Sequence, residues 1–187
     1  KYEFMVNGKM LTWEEAMARF RDATGRPGPA TWELGMFPEE KGDYPVGGVS
    51  WYEAAAYAEF VGKKLPTFYH WRIVAATDYS EYIIPQSNFG DDGPTAVGHY
   101  SGLNYFGTYD LAGNVREWCF NYLNEKRLIL GGAWEDLYYM FYMQDAKSPF
   151  DRSPGNGFRC VKYLSTESSS ERAKSPILLS IRDYSRE

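Results

Sequence analysis

The chain has 187 residues, 44% of them hydrophobic and 24% charged, and this length and composition predict a folded globular domain with its own core. The net charge of −5 comes without a basic stripe, which argues against nucleic acid as a partner. The most apolar windows, such as residues 54–61, are too short to cross a bilayer, so we expect no membrane insertion by this segment.

Two capping boxes mark the starts of two predicted helices. Residues 12–15 read Thr-Trp-Glu-Glu and residues 50–53 read Ser-Trp-Tyr-Glu, so in each case the hydroxyl and the carboxylate can bind each other's backbone amides. We expect the first helix to end near Gly25 and the second at Gly62, since glycine commonly follows a helix C-terminus. A third, weaker helix is predicted over residues 67–76.

The rest of the chain is punctuated by Gly and Pro, with short strand candidates between the turns. These candidates are residues 127–130, 138–143 and 157–163. Few helices, several short strands and long irregular loops together indicate an α+β domain.

The two cysteines, Cys119 and Cys160, can form one disulfide, but their apolar surroundings favour free thiols. They give neither a CxxC pair nor the spacing of a metal site. The sequence therefore predicts two buried free thiols.

The sequence changes character after residue 164. Residues 165–172 are polar and lack apolar periodicity, which is typical of a linker, and residues 177–181 are apolar again. We therefore predict one domain over residues 1–164 and a linker or tail over residues 165–187 that leads toward a further domain. A tail that packs back on its own domain is the alternative.

Four ordered segments carry a family resemblance, namely residues 45–57 with 64–67, residues 106–118, residues 130–134 and residues 156–161. They resemble the formylglycine-generating-enzyme (sulfatase-modifying factor) family. The resemblance implies a formylglycine-generating-enzyme-like variant of the C-type lectin fold, with little regular secondary structure. The family's domain usually opens with a strand and a helix upstream of Lys1, and we expect these elements to be missing here or to belong to another part of the protein. Residues 148–154 and 181–185 are similar to a branch that is appended to large bacterial signalling proteins, often beside a Ser/Thr kinase domain or an α/β-hydrolase-like domain.

The resemblance also locates the chemistry of the family. Its oxidase members bind copper through two cysteines that follow the double glycine, and these positions fall at about Asp136 and Phe141. Two thiolates suit Cu(I), and neither residue supplies one, so we expect no copper and no formylglycine-generating activity. The sulfoxide-synthase branch holds iron with histidines, whereas this chain has only His70 and His99, and His70 lies among aromatic residues typical of a core.

Calcium is the metal that the resemblance still implies, bound by oxygen ligands in loops. In residues 110–117, Asp110 and Glu117 would supply carboxylates, and Gly113 and Val115 would supply carbonyls. The alternative is that Asp110 caps a turn while Glu117 pairs with an arginine such as Arg159.

A second loop, residues 87–93, matches the family's other calcium site in part. Asn88 and Phe89 align with ligand positions in that site. Its carboxylate half is shortened, so Asp91 or Asp92 could contribute only if the loop folds differently.

The residues after the double glycine form the exposed face in lectin-like folds, and here they are dense in aromatic and Met side chains. Such density is typical of a recognition patch. The alternative is a strand that buries every second residue. The predicted ligand-binding residues are Trp134, Asp136, Tyr138, Tyr139, Phe141 and Tyr142.

These observations favour a non-catalytic ligand-binding or protein-binding domain, of sensory function, in a larger bacterial signalling protein. Its partner would be a protein or a small molecule, and its location cytoplasmic or on an exposed part of a membrane-tethered protein. The alternatives are an enzyme of the same superfamily with unrecognised chemistry and a structural spacer between neighbouring domains.

Overall fold

The computed structural model describes residues 3–75 and 77–163, and the predicted linker or tail over residues 165–187 lies outside them. Helices and short strands alternate with long loops in the following order: β1 (Met5–Val6), β2 (Lys9–Met10), α1 (Trp13–Met17), α2 (Trp51–Phe60), α3 (Phe68–Ala75), a 3₁₀ turn (Thr77–Tyr79), α4 (Ser80–Ile83), a second 3₁₀ turn (Ile84–Gln86), β3 (Arg116–Leu123), β4 (Lys126–Leu130), a third 3₁₀ turn (Tyr138–Phe141), β5 (Asp145–Lys147) and β6 (Asn156–Gly157). The predicted α+β class is confirmed.

Both capping boxes form as predicted. The Thr12 hydroxyl accepts the Glu15 amide at 3.2 Å, and the Glu15 carboxylate accepts the Thr12 amide at 2.8 Å. The Ser50 hydroxyl and the Glu53 carboxylate make the same exchange at 3.1 and 2.8 Å. These contacts satisfy amides that the first turn of each helix leaves without intrahelical partners.

The two helices end differently from one another. Gly62 follows the last residues of α2 with φ +67°, as the sequence predicts. The prediction that the first helix reaches Gly25 is wrong, because α1 stops at Met17. The chain then turns to pair Arg21 with Pro27, and a continuous helix cannot make this bridge.

The main sheet has four strands in the order β5-β4-β3-β6. Strands β3 and β4 form an antiparallel hairpin in which Leu123 pairs with Lys126, and Asn124 in the turn adopts φ +54°. Strand β6 joins the other edge in parallel, through Glu117 and Gly157.

Two of the three predicted strands need correction. Residues 138–143 were expected to extend but instead turn through the 3₁₀ helix Tyr138–Phe141, which carries Phe141 under Trp71 with ring centroids 6.0 Å apart. In residues 157–163 the chain pairs with β3 only at its start and then makes a single bridge from Val161 to Lys64.

Two hydrophobic clusters cover opposite faces of the central hairpin. One includes Trp71, Cys119 and Leu128, and the other includes Trp51 and Trp118 among its buried residues. Successive side chains of a strand point to opposite faces, so neighbouring residues of β3 enter different clusters. No helix among the described residues has the length and apolarity needed to cross a membrane.

The two cysteines are free, as predicted. Cys119 is fully buried, and burial raises the pKa of its thiol well above the usual value. Cys160 is half-buried, so the prediction of burial holds for Cys119 but only in part for Cys160. Burial also raises the pKa of the Cys160 thiol, and a protonated thiol is a poor nucleophile and a poor metal ligand.

Candidate functional site

Glu117 lies in the core, at 3% exposure, and its carboxylate is engaged on both oxygens. Arg159 donates from Nε to Oε2 at 2.6 Å and from Nη2 to Oε1 at 2.5 Å. Trp71 donates its indole N–H to Oε2 at 2.8 Å. The pairing of Glu117 with Arg159, one of the two interpretations of the sequence, is the arrangement in the structure.

Arg159 also holds the other end of the 110–117 loop. Its Nη2 lies 3.1 Å from the carbonyl oxygen of Tyr109 and 3.3 Å from that of Asp110. The Asp110 carboxylate accepts the Gly98 amide at 2.8 Å, and burial raises its pKa. A guanidinium thus binds both oxygens of the Glu117 carboxylate and the backbone carbonyl of Asp110.

The two loops predicted to bind calcium lie against each other. Asn88 and Gly113 form a parallel bridge, and the Asn114 amide donates to the Asn88 carbonyl at 3.0 Å. A Cβ atom on Gly113 would come within 2.1 Å of that carbonyl oxygen, so only glycine allows this approach. The sequence predicted the two loops separately, and their contact is a feature of the tertiary structure.

Asn88 carries a buried oxygen without a partner. Its Nδ2 donates to the carbonyl of Gly93 at 3.1 Å, whereas its Oδ1 has no hydrogen-bond partner among the described residues. Phe89 packs its ring over Gly132, and Val115 is buried against Gly157. Of the six predicted calcium ligands, Asn88 alone presents an unsatisfied buried side-chain oxygen.

Among the described residues, the carboxylates of Asp91 and Asp92 make no contact with the Asn88 Oδ1. The Asp91 carboxylate accepts the Tyr100 hydroxyl at 3.0 Å and the Asp92 amide at 2.8 Å. Within residues 3–75 and 77–163, no three His, Cys, Asp or Glu side chains are grouped closely enough to hold a metal ion.

The predicted recognition face divides into exposed and internal residues. Tyr138 is 60% exposed, and Tyr139 and Tyr142 are also exposed, although the Tyr142 hydroxyl donates to Ser80 at 2.7 Å. Trp134 is half-buried.

Two members of that predicted face belong to the interior instead. Phe141 is 1% exposed because the 3₁₀ turn folds it into the core, so its assignment to a ligand surface is wrong. Asp136 forms an ion pair with Arg116, accepts the Ala133 amide at 2.8 Å and so closes the loop that follows the double glycine. Its role is to fix this loop.

A large groove opens beside Trp134, with a volume of about 1220 Å³. One wall is the loop before α2, which contributes prolines and the rings of Trp32, Phe37 and Tyr44. The facing wall contains Trp134, Pro154 and Phe158 together with Tyr57 of α2. Its aromatic lining is typical of a ligand-binding cleft, and its volume is above the usual range for a small-molecule pocket.

The loop wall of the groove is held in place by Arg152. This guanidinium donates to the carbonyl oxygens of Arg19, Arg21 and Gly28, at 3.0, 2.6 and 2.5 Å respectively. It also binds both carboxylate oxygens of Glu53, at 2.8 and 2.9 Å. One partly buried side chain therefore ties the loop wall to the start of α2.

The groove carries a net positive charge inside an acidic chain. Its charged lining residues are Lys41, Lys63 and Glu53, and Glu53 is neutralised by Arg152. Neither lysine forms an ion pair with a carboxylate of the described residues, and the Lys41 ammonium lies 3.7 Å from the ring centre of Tyr44. The groove therefore offers apolar rings and two cations.

Sequence reasoning missed most of this groove. Residues 26–44 were interpreted only as part of the turn-rich remainder of the chain, although their prolines and three large aromatic residues could have indicated a rigid aromatic loop. The contact of this loop with residues 154–160 depends on long-range packing, for example at Gly47, where a Cβ atom would lie 2.2 Å from the Pro154 carbonyl oxygen.

Comparison with known families agrees with this architecture. A model of the sulfatase-modifying factor enzyme 1-like domain matches residues 3–164. The chain belongs to this family. Its core is the C-type lectin-like fold that the resemblance implied.

Relatives of this sulfatase-modifying factor-like domain include kinases and an inactive enzyme homologue. The serine/threonine-protein kinase pkn1 of Chlamydia caviae is 31% identical over 149 residues, which cover 64% of this chain and 24% of the kinase. The inactive Cα-formylglycine-generating enzyme 2 of Bos taurus is 28% identical over 154 residues, which cover 65% of this chain and 51% of that protein. The chain thus spans about a quarter of the length of the kinase that it matches.

A solved structure shares the fold at low identity. The crystal structure of CarF superposes with a TM-score of 0.60 and 20% identity, over 80% of this chain and 79% of that chain. At this identity the likeness shows the fold alone.

Proposed function

We propose that this chain is a non-catalytic recognition domain of a larger bacterial signalling protein. The proposal rests on the residues that stand at the two positions that hold copper thiolates in the oxidases. Asp136 is paired with Arg116, and Phe141 is packed against Trp71 in the core. Both positions now stabilise the fold, and neither presents a reactive group.

The relatives support this interpretation. The Chlamydia kinase carries a similar domain within a much longer chain, and the bovine relative is described as inactive. An appended domain that retains the fold without the thiolates is suited to binding.

The absence of oxidase chemistry can be tested on the purified chain. After incubation with Cu(I) and removal of free metal, we expect no stoichiometric copper by mass spectrometry. A cysteine-containing sulfatase peptide should be recovered without conversion to formylglycine. Stoichiometric copper together with turnover would overturn the proposal of a non-catalytic domain.

We further propose that the ligand is an extended protein segment that carries an acidic residue among apolar ones. Aromatic rings and prolines suit apolar side chains, and Lys41 and Lys63 supply the charge that complements a carboxylate. Large rigid rings form binding hot spots because little conformational entropy is lost when they are covered.

A displayed library of random linear peptides tests this ligand class. Selection on the purified chain should enrich peptides that combine Asp or Glu with aromatic or aliphatic residues. Lys41→Glu with Lys63→Glu should reverse the charge preference, while Tyr138→Ala, outside the groove, should leave it unchanged. Enrichment without charge preference, or none at all, would contradict the proposal.

We propose structural calcium at the Asn88 loop only. The orphan Oδ1 of Asn88 fits a hard cation, whereas the Asp110 and Glu117 carboxylates do not because Arg159 lies beside them. Calcium should raise the unfolding temperature relative to EGTA, and Asn88→Ala should remove that increase. An equal increase in wild type and variant would exclude this site.

A further inference from the structure

A second, smaller cavity of about 280 Å³ lies between α3, the loop around Thr108 and the segment 159–161. It shares only Cys160 with the large groove, so it is a separate site. Its apolar walls come mainly from Trp71, Val74 and Leu111. Its volume is at the lower end of the range found for small-molecule pockets.

His70 is one of the residues that line this cavity, and its ring contacts two hydroxyl groups. Its Nδ1 lies 2.5 Å from the Thr67 hydroxyl and 3.3 Å from the Tyr163 hydroxyl. The Thr67 hydroxyl accepts the His70 backbone amide at 3.3 Å and can donate its own proton to Nδ1. We therefore assign the acceptor role to Nδ1 and the proton of the neutral ring to Nε2. That N–H has no hydrogen-bond acceptor among the described residues.

Arg159 is the second polar residue that lines the cavity. Its Nε and Nη2 are occupied by Glu117 and by the carbonyls of Tyr109 and Asp110. Its Nη1 makes no hydrogen bond within the part of the chain that the structure describes. The cavity thus combines apolar walls with donors from two different elements.

The charges around the cavity determine whether an anionic, a cationic or a neutral ligand suits these two donors. Glu117 balances Arg159, and Asp110 adds a further negative charge nearby, so an anionic ligand gains no net attraction. A cationic ligand would meet only hydrogen-bond donors, which do not bind a cation. We infer that this cavity binds a small neutral molecule with an apolar body and a carbonyl-type hydrogen-bond acceptor. The site is independent of the groove and of the proposed function.

Matched aromatic probes test the inference on the full chain. Acetophenone presents a ring and a carbonyl, α-methylstyrene has the same shape without an acceptor, and benzoate replaces the neutral acceptor by an anion. Amide chemical-shift titrations should show acetophenone binding about fivefold more tightly than α-methylstyrene, the value of one neutral hydrogen bond. It should also bind more tightly than benzoate, with shifts centred on residues that line the cavity.

Three variants locate the site and its donor. Thr108→Phe fills the cavity from its loop wall and should abolish the shifts, while Thr108→Ser should preserve them. His70→Phe keeps a ring but removes one of the two donors, so the preference for acetophenone over α-methylstyrene should fall below its wild-type value. Equal affinity for the two probes in wild type, or binding that survives Thr108→Phe, would overturn the inference.

Discussion

Arg159 and Glu117 show how one ion pair can serve a core, a loop and a cavity wall. The pair joins β3 to the segment that follows β6, and Trp71 adds a third element to the same carboxylate. Such a buried pair is a weak source of net stability, but the loss of one partner leaves a buried charge uncompensated.

Arg159→Leu should therefore destabilise the chain by about 3 kcal/mol in urea unfolding at neutral pH. Adding Glu117→Gln should recover part of this loss, because the stranded charge is removed while an acceptor for Trp71 remains. Lys9→Ala, which breaks an exposed pair at 3.9 Å, should cost about 0.5 kcal/mol or less. If Arg159→Leu cost no more than Lys9→Ala, the claim that it leaves a buried charge uncompensated would be wrong.

Asp22 makes the stability of the loop that forms one wall of the groove depend on pH. Burial raises its carboxyl pKa, but hydrogen bonds from the Gly35 amide, the Thr24 hydroxyl and amide and the Arg26 amide outweigh this effect and lower the pKa to about 2. Because the folded-state pKa lies below the ordinary value, the stabilisation is complete above about pH 4 and disappears as the pH falls toward 2.

Asp22→Asn should accordingly lower the urea midpoint at pH 6, because the amide has one acceptor oxygen, and its NH₂ group cannot accept the Gly35 N–H as the second carboxylate oxygen does. The difference between the two midpoints should narrow between pH 4 and pH 2, where wild-type Asp22 becomes protonated. A difference that stays constant over this range would show that the Asp22 charge does not stabilise the loop.

At the scale of elements, local signals in the sequence predicted helix starts well and strands less well. Capping boxes operate within four residues, so their outcome does not depend on the rest of the chain. Strand β3 escaped prediction because residues 116–119 are all buried, with clusters on both faces and no alternation of polar residues. The Tyr138–Phe141 turn was mistaken for a strand because aromatic residues are common in both settings.

The two capping boxes should differ in their contribution to stability although their geometry is the same. Ser50 is fully buried at the start of α2, whose face packs on the second cluster, so Ser50→Ala should cost about 1 kcal/mol. Thr12→Ala should cost only a few tenths, since α1 has five residues and is largely exposed. Urea unfolding of the two variants measures this contrast, and equal losses would refute it.

At the scale of the whole molecule, ordered motifs predicted the fold but not the groove. A motif residue can reflect a demand of the tertiary structure, as at Gly113, where the bridge to Asn88 excludes any side chain. The groove needs residues 20–49, Trp134 and residues 154–160 to meet, and no local pattern specifies that meeting. The net positive charge of the groove, from Lys41 and Lys63, likewise depends on a long-range contact, because Arg152 neutralises Glu53.

The proposed domain boundary leads to a prediction for the complete fold. Both hydrophobic clusters, the four-stranded sheet and the ion pairs of Arg116, Arg152 and Arg159 lie within residues 3–163. A chain ending at Tyr163 should therefore unfold in one cooperative step, with the same urea midpoint and the same slope as the full chain, because the slope reports the surface exposed on unfolding. A lower midpoint with a smaller slope would instead show that residues 164–187 pack against the domain, which was the alternative to a linker.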